Sequence, residues 1–305
     1  MLISIVVPMY NESEVLDTFF TTVADTLAEV DDDIEYVCVN DGSIDDTLEK
    51  LKALKSIYSN LRIINLSRNF GKESALTAGI ETARGDVVIP MDADLQDPPQ
   101  LILTMLEKYT QGHDVVLAKR IDRSTDGHLK RTTAAMFYKL IGGISSVNIP
   151  ENVGDFRLMS RRVVDVLKGL NETQRFMKGI FSWPGFPTAV VEYTRPERAA
   201  GETRFNWRSL TNLAVEGITS FSVAPLRLSS LFGIFFSLAA FGYAIYVAIK
   251  TLVYGIDVPG YASLMVVLLF ISGAQFFLIG ILGEYIGRVY MEVKGRPIYV
   301  IENEY

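Results

Sequence analysis

The sequence predicts an α/β chain. A doubly wound, mainly parallel sheet comes first, then an amphipathic interfacial helix and two transmembrane helices. Three observations predict this. Short apolar runs alternate with helical segments from residue 3 to residue 141. Acidic and polar residues stand directly after those runs. Two uncharged stretches near the C-terminus are each long enough to cross a bilayer, which takes about 20 residues.

The elements follow in order. Ile3 to Pro8 reads as an apolar strand, and Ser13 to Val30 as a helix capped by Asn11 or Ser13. Glu35 to Asn40 is strand-like and Asp45 to Tyr58 helical. Leu61 to Leu66 is a strand and Glu73 to Ala83 a helix. Val87 to Met91 is a strand, with a helix after Pro98-Pro99. Val115 to Ala118 is a strand, and Leu129 to Ile141 a helix. Ile144 to Gly154 is polar and punctuated by Pro and Gly, so it reads as a loop. Prolines break Gly179 to Thr203, within which Val190 to Tyr193 is strand-like. In a doubly wound sheet, ligands bind at the carboxyl ends of the strands.

Leu228 to Ile249 and Tyr261 to Gly283 carry no charge. The loop between them, Lys250 to Gly260, has one basic residue. Arg204, Arg208 and Arg227 precede the pair, and Arg288, Lys294 and Arg296 follow it. The positive-inside rule then puts both ends and the N-terminal domain in the cytoplasm. Before the first span, Trp207, Leu210, Ala214, Ile218 and Phe221 recur at steps of three or four, with Arg208, Asn212 and Glu216 on another face. That pattern suits a helix lying in the membrane interface. The expected divisions are 1–204 for the α/β domain and 205–225 for the interfacial helix. The two-span region is 226–288, with spans at about 228–249 and 261–283, and 289–305 is a cytoplasmic tail.

Composition excludes several classes. A net charge of −7 argues against nucleic acid as a partner. The lone Cys38 forms no intrachain disulfide, and with His113 and His128 it makes a poor zinc site. Met1 leads straight into Leu2–Val7, too short and too β-branched for a signal peptide. Gly71-Lys72 lacks the flanking residues of a phosphate-binding loop. No Gly-x-Gly-x-x-Gly follows the first strand, so a dinucleotide oxidoreductase is not expected.

Three strand-end motifs carry the chemistry: Pro8-Met9-Tyr10-Asn11-Glu12, Asn40-Asp41-Gly42-Ser43 and Asp92-Ala93-Asp94-Leu95-Gln96-Asp97. Asp92 and Asp94, one small residue apart after a strand, suit a hard cation that also binds substrate phosphate. Alone, such a pair is more often a solvated turn; Asp41 and Gln96 nearby favour the metal. Lys119-Arg120-x-x-Arg123 and Lys130-Arg131 read equally as a phosphate site or a solvated face. Gly154-Asp155 alone reads as a turn.

Together these motifs resemble the family-2 inverting glycosyltransferases of the GT-A fold. Within that family the chain is similar to the polyprenyl-phosphate glycosyltransferases, the bactoprenol glucosyltransferase group of O-antigen glucosylation systems above all. Arg68-Asn69-Phe70-Gly71-Lys72-Glu73, Asn152 to Ser160 and Leu282 to Arg288 extend the likeness, which covers almost the whole chain.

The resemblance implies transfer of a hexose, glucose from UDP-glucose first, to undecaprenyl phosphate. It implies a divalent cofactor, Mg²⁺ or Mn²⁺. Pro8, Tyr10, Asn11, Glu12, Asp41, Lys72, Asp92 and Ala93 would bind the nucleotide sugar. Asp94 and Gln96 would ligate the metal. Asp92, Asp94 and Asp155 would be catalytic, with Asp155 either a base or a positioning group. Lys119, Arg120, Arg131 and Arg204 would hold the acceptor phosphate. Arg204 stands where relatives often have Lys. A bacterial or phage-encoded inner-membrane protein, a homo-oligomer, and a separate flippase and final glycosyltransferase complete the expectation. The alternatives are a polyprenyl-phosphate mannose or aminoarabinose transferase, or an inactive sugar-nucleotide sensor or scaffold. A processive synthase would need more spans and a Gln-x-x-Arg-Trp motif, which is absent.

Overall fold

The structure, a computed structural model, describes residues 1–121, 153–170, 172, 175, 177–194, 224–255 and 260–305. The expected helix 129–141, the loop up to residue 152, the interfacial helix 205–222, Arg131 and Arg204 lie outside the described residues. The chain divides into two compact units, Met1–Ala214 with Arg296–Tyr305, and Val215–Gly295.

The first unit is built on a sheet of eight strands. They are β1 (Leu2–Met9), β2 (Asp33–Asn40), β3 (Leu61–Leu66), β4 (Val87–Pro90), β5 (Val115–Arg120), β6 (Val153–Ser160), β7 (Thr188–Tyr193) and β8 (Ile301–Glu304). Their spatial order is β7-β5-β6-β4-β1-β2-β3-β8. The pairs β1–β2, β1–β4, β2–β3 and β5–β7 are parallel. The strand β6 runs antiparallel to both its neighbours, and β8 runs antiparallel to β3. The sheet is therefore mainly parallel, as expected, with two antiparallel insertions.

Helices α1 (Leu16–Leu27), α2 (Thr47–Lys55), α3 (Lys72–Thr82), α4 (Leu101–Thr110), α5 (Arg161–Lys168) and α6 (Met177–Ser182) accompany the strands. The central strands are continuous apolar runs because both their faces are covered. Ile3, Ile5 and Val7 of β1 join Phe19, Phe20 and Val23 of α1 in one core cluster. Phe20 packs against Tyr36 and Tyr58 with ring centroids 5.4 and 5.0 Å away. On the other face Val6 meets α3 at Gly79, where a Cβ would stand 2.3 Å from a Val6 methyl. Cys38 is a fully buried part of this core, and burial pushes its thiol up.

Two local readings change. The first helix starts at Leu16, after Val15, with no side-chain cap, rather than on Asn11 or Ser13. Both of those residues contact the loop after β2 instead: the Asn11 side chain accepts the Ile44 N–H, and the Ser13 N–H donates to Asp45. The stretch read as a Gly-Asp turn is the strand β6. The pairing of β6 between β4 and β5 is long-range and leaves no local signature.

The second unit holds α7 (Ala224–Tyr254) and α8 (Tyr261–Lys294). Leu228–Tyr254 and Val266–Lys294 are long and apolar enough to cross a membrane, and their apolar windows are not buried in protein. Phe236 and Phe270 join the two helices edge to face at 5.8 Å.

One buried charge cluster ties the first unit together. Glu35 accepts from Ser4 Oγ at 2.6 Å, from Arg62 at 2.7 Å and from the Arg84 N–H at 3.0 Å. Arg62 also reaches Glu304 of β8. Burial pushes the Glu35 carboxyl up, but these hydrogen bonds outweigh it and hold it below its ordinary value. The folded state therefore favours the ionised form. Its stabilisation is complete above the unfolded pKa of about 4.3 and is lost as pH falls through the lower folded value. Glu35→Gln is expected to destabilise by about 1–3 kcal/mol at pH 7. The difference from wild type should shrink below pH ~4 in urea unfolding followed in detergent. An equal gap at both pH values would refute this linkage.

Candidate active site

The carboxyl ends of β1, β2, β3 and β4 open into one cavity of about 280 Å³. Its walls are Pro8, Met9, Tyr10 and Glu12, then Asp41, then Asn69, Gly71, Lys72 and Ala75, then Asp92, Ala93 and Asp94. Each group comes from the end of one strand or the segment that follows it. The acidic residues converge because the topology brings these strand ends side by side.

Polar contacts bind those loops to one another. The Asn11 N–H donates to Ser43 Oγ at 3.0 Å, and Asn11 Oδ1 accepts from the Ile44 N–H at 2.9 Å. Asn11 sits at φ 57°, in the left-handed region that Asn tolerates. Asp41 is 2% exposed, and its two oxygens accept from the Phe70 and Gly71 N–H groups at 2.7 and 2.9 Å. Burial raises the Asp41 carboxyl more than those amides and Arg68 lower it. Gly42 lies at φ +63°, and a Cβ there would stand 2.4 Å from the Arg68 carbonyl carbon. Only glycine lets the second loop lie this close to the third.

The last loop carries strain at the expected metal ligands. Leu95, between Asp94 and Gln96, has φ 54°. A bulky residue there costs about 1–2 kcal/mol and persists where its surroundings impose it. The kink turns the Gln96 N–H onto Asp94 Oδ1 at 3.1 Å. Gln96 Oε1 is buried with no hydrogen-bond partner. Among the described residues, no three carboxylate, imidazole or thiol groups cluster as a metal cage. A cation with few protein ligands and substrate oxygens for the rest fits this donor set.

Lys72, in the first turn of α3, spans the cavity. Its Nζ lies 2.7 Å from Asp92 Oδ1 and 3.0 Å from Asp155 Oδ2. Burial alone would lower the Lys72 ammonium's pKa, but the two carboxylates raise it above its ordinary value. Asp155 thus joins the cleft from strand β6, outside the loops that line the cavity. Among the described residues, four carboxylates line that cavity, Glu12, Asp41, Asp92 and Asp94, against one ammonium. Burial raises the Glu12 carboxyl, and repulsion from Asp94, Asp92 and Asp45 raises it further. The N-terminus of α3 also faces the cavity, through Gly71, Lys72 and Ala75, and such termini favour phosphate.

Of the residues expected to bind a nucleotide sugar, Pro8, Tyr10, Glu12, Asp41, Lys72, Asp92 and Ala93 line the cavity; Asn11 does not, and braces loops instead. Lys119 forms an ion pair with Glu192 of β7 at 3.1 Å. Arg120 Nε, at the end of β5, is buried with no partner. Met9, Asn69 and Ala75 also line the cavity. Their position just after strands, or one helical turn beyond, was the available signal for them.

Comparison with known proteins places the whole chain. Residues 4–167 match the glycosyl transferase family 2, and residues 224–289 match the GtrB C-terminal hairpin. This chain belongs to glycosyl transferase family 2. Its first unit has the GT-A fold. A bactoprenol glucosyl transferase of Shigella phage SfV is 52% identical, covering 100% of this chain and 99% of that one. A prophage bactoprenol glucosyl transferase homolog of Escherichia coli is 50% identical, covering 99% of each. An uncharacterized glycosyltransferase of Synechocystis is 48% identical, covering 99% of this chain and 95% of that one. Among solved structures, glucosyl-3-phosphoglycerate synthase of Mycobacterium tuberculosis with Mn²⁺, uridine-diphosphate-glucose and phosphoglyceric acid has a TM-score of 0.44 and 20% identity, covering 72% of this chain and 77% of that one.

The close approach at Gly42 gives a direct test. Gly42→Ala is expected to destabilise the protein by about 3 kcal/mol or more in urea unfolding, through left-handed strain plus a backbone clash. Unchanged stability would show that the loops need not lie this close.

Proposed function

We propose that this enzyme transfers glucose from UDP-glucose to undecaprenyl phosphate, with inversion at the anomeric carbon. The observation that carries this reading is the 52% identity that runs end to end to a bactoprenol glucosyl transferase, hairpin included, on a chain whose strand ends form an acidic cleft.

Tyr10 and Asp41 hold the uridine, and the N-terminus of α3 faces the diphosphate. Asp94 and Gln96 hold a divalent ion, Mn²⁺ or Mg²⁺; its fit is supported by the orphaned Gln96 oxygen and by a cavity in which carboxylates outnumber the ammonium four to one. When bound, that ion neutralises charge on the leaving UDP. Lys72 supplies a second positive charge on the same side of the sugar.

The nucleophile is an oxygen of the lipid phosphate. Its second pKa lies near ~6, so it is largely dianionic at neutral pH and needs little base help. Asp155 accordingly positions a sugar hydroxyl. Its ion pair with Lys72, 3.0 Å away, favours this role, because the ammonium fixes where the carboxylate points. Arg120, with its unpartnered Nε, together with Lys119, Arg131 and Arg204, holds the acceptor phosphate.

The cleft works at a bacterial inner membrane. The excess of basic residues flanking the two spans supports a cytoplasmic catalytic unit. The return of the chain into the first unit as β8 supports an even number of crossings, with both termini on one side. The divisions 1–204, 205–225, 226–288 and 289–305 belong to the same reading. So do a homo-oligomer and a separate flippase and final glycosyltransferase.

Purified protein in detergent, with Mn²⁺ and undecaprenyl phosphate, should label lipid from radioactive UDP-glucose and not from GDP-mannose or UDP-aminoarabinose. Labelling from either of the latter alone would overturn the donor assignment. Asp94→Ala and Lys72→Met should each lower turnover on the order of 10²–10³-fold in protein that still folds. Normal turnover by Asp94→Ala at low Mn²⁺ would remove the metal assignment.

A further inference from the structure

Asp155 stands at an irregularity of the sheet. Strand β6 pairs Arg157 with Leu117 and Val153 with Lys119, so four residues on β6 span what two residues on β5 span. Three residues, Gly154 to Phe156, thus stand opposite Ala118 alone and break the ladder to β5. On the β4 side, the ladder covers only Met159 and Ser160. Bulges of this kind re-aim a side chain and leave backbone groups without ladder partners.

Arg157 takes up those groups. It is 3% exposed. Its Nη2 donates to the Gly154 carbonyl at 2.6 Å and its Nε to the Asp155 carbonyl at 3.3 Å. Phe181 of α6 lies under the guanidinium, 4.1 Å from its centre. No carboxylate among the described residues forms an ion pair with Arg157, although Asp155 is near enough to act on its charge. Burial pulls the guanidinium down to about 10. A buried cation without an ion pair is unfavourable unless its hydrogen bonds do something an apolar side chain could not. Packing alone does not explain an arginine here, since methionine would fill the same space.

We propose that Arg157 is a positioning residue for Asp155, its guanidinium closing the β6 bulge from behind so that the carboxylate is held against Lys72 and the reacting sugar. The part played by the sugar rests on the function proposed above. Among the described residues, Arg157 forms no hydrogen bond or ion pair with Lys72 and does not line the first cavity. Its other edge faces a separate cavity of about 160 Å³, lined also by Phe181, Pro184 and Phe186. That space lets lysine or methionine be accommodated without overpacking.

The test is a double-mutant cycle on Arg157→Met and Asp155→Asn, with Arg157→Lys as the conservative variant. Two activities are measured in the full-length protein: glucosyl transfer to undecaprenyl phosphate, and the slow hydrolysis of UDP-glucose without lipid. UDP affinity is measured by calorimetry. Arg157→Met should lower kcat on the order of 10–10²-fold, with KM for UDP-glucose and UDP affinity within about two-fold of wild type. Arg157→Lys should recover part of that loss. The double variant should be no slower than Asp155→Asn alone, because Arg157 acts only through Asp155. Losses that multiply, a wild-type kcat in Arg157→Met, or a fall in UDP affinity matching the fall in kcat would each overturn the proposal. A wild-type protein that hydrolyses UDP-glucose but never glucosylates the lipid would remove the proposed acceptor, and the cycle would still be decided on hydrolysis.

Discussion

The arrangement of the cleft depends on one ammonium group. Lys72 Nζ lies within 3.0 Å of carboxylates from two different strands, Asp92 beyond β4 and Asp155 within β6. Carboxylates gathered this closely repel one another. At an effective dielectric of about 20, two such charges 6 Å apart interact by about 3 kcal/mol. Lys72 turns that repulsion into a bridge. It also fixes where α3 begins, since the helix must deliver Lys72 to the gap, and Gly71 at φ +97° makes the turn that does so.

The other loops follow from this anchor. Asp41 holds the Phe70 and Gly71 amides, and so holds the start of α3. Gly42 permits that approach, and Asn11 ties the first loop to the second. Charge, not apolar packing, therefore decides the shape of the cleft, while the packed sheet beneath decides only where its walls begin. The far end of α3 is fixed as well. Glu81 accepts from Tyr299 of the C-terminal tail at 2.6 Å and lies 3.6 Å from Arg175.

Most of this was legible in the sequence wherever local pattern and fold agree. Strands β1 to β5 are short β-branched runs, and the ends of β1, β2 and β4 carry the acidic residues that line the cavity. Strand β6 escaped notice because Gly154, Asp155 and Arg157 interrupt its apolar pattern, and those are the residues that make and close the bulge. Strand β8 escaped because Ile301-Glu302-Asn303-Glu304 is a polar edge segment with no core face to reveal it. Side chains reinforce its backbone ladder to β3: Glu302 accepts from Asn65 at 2.8 Å, and Glu304 from Arg62. Sequence reasoning also put a cap at Asn11, where a longer-range hydrogen bond to the Ile44 N–H wins.

The tail strand bears on how the two apolar helices and the GT-A fold coexist in one chain. An edge strand such as β3 would otherwise offer unpaired backbone groups to other chains. Here β8 covers it, and β8 can do so only after the chain has passed through both apolar helices. Asn40 and Asn65, whose side chains pair at 2.7 Å, then link β8 through Glu302 to the end of β2, one residue before Asp41. A hydrogen-bonded line thus runs from the segment after the second apolar helix, across β3, to Asn40, the neighbour in sequence of the carboxylate that braces the cleft. Asn40 and Asn65 are buried members of this line, while Glu302 stands at the exposed sheet edge. Such a line is stable only when every member is satisfied, so the sheet edge is complete only when the tail has docked.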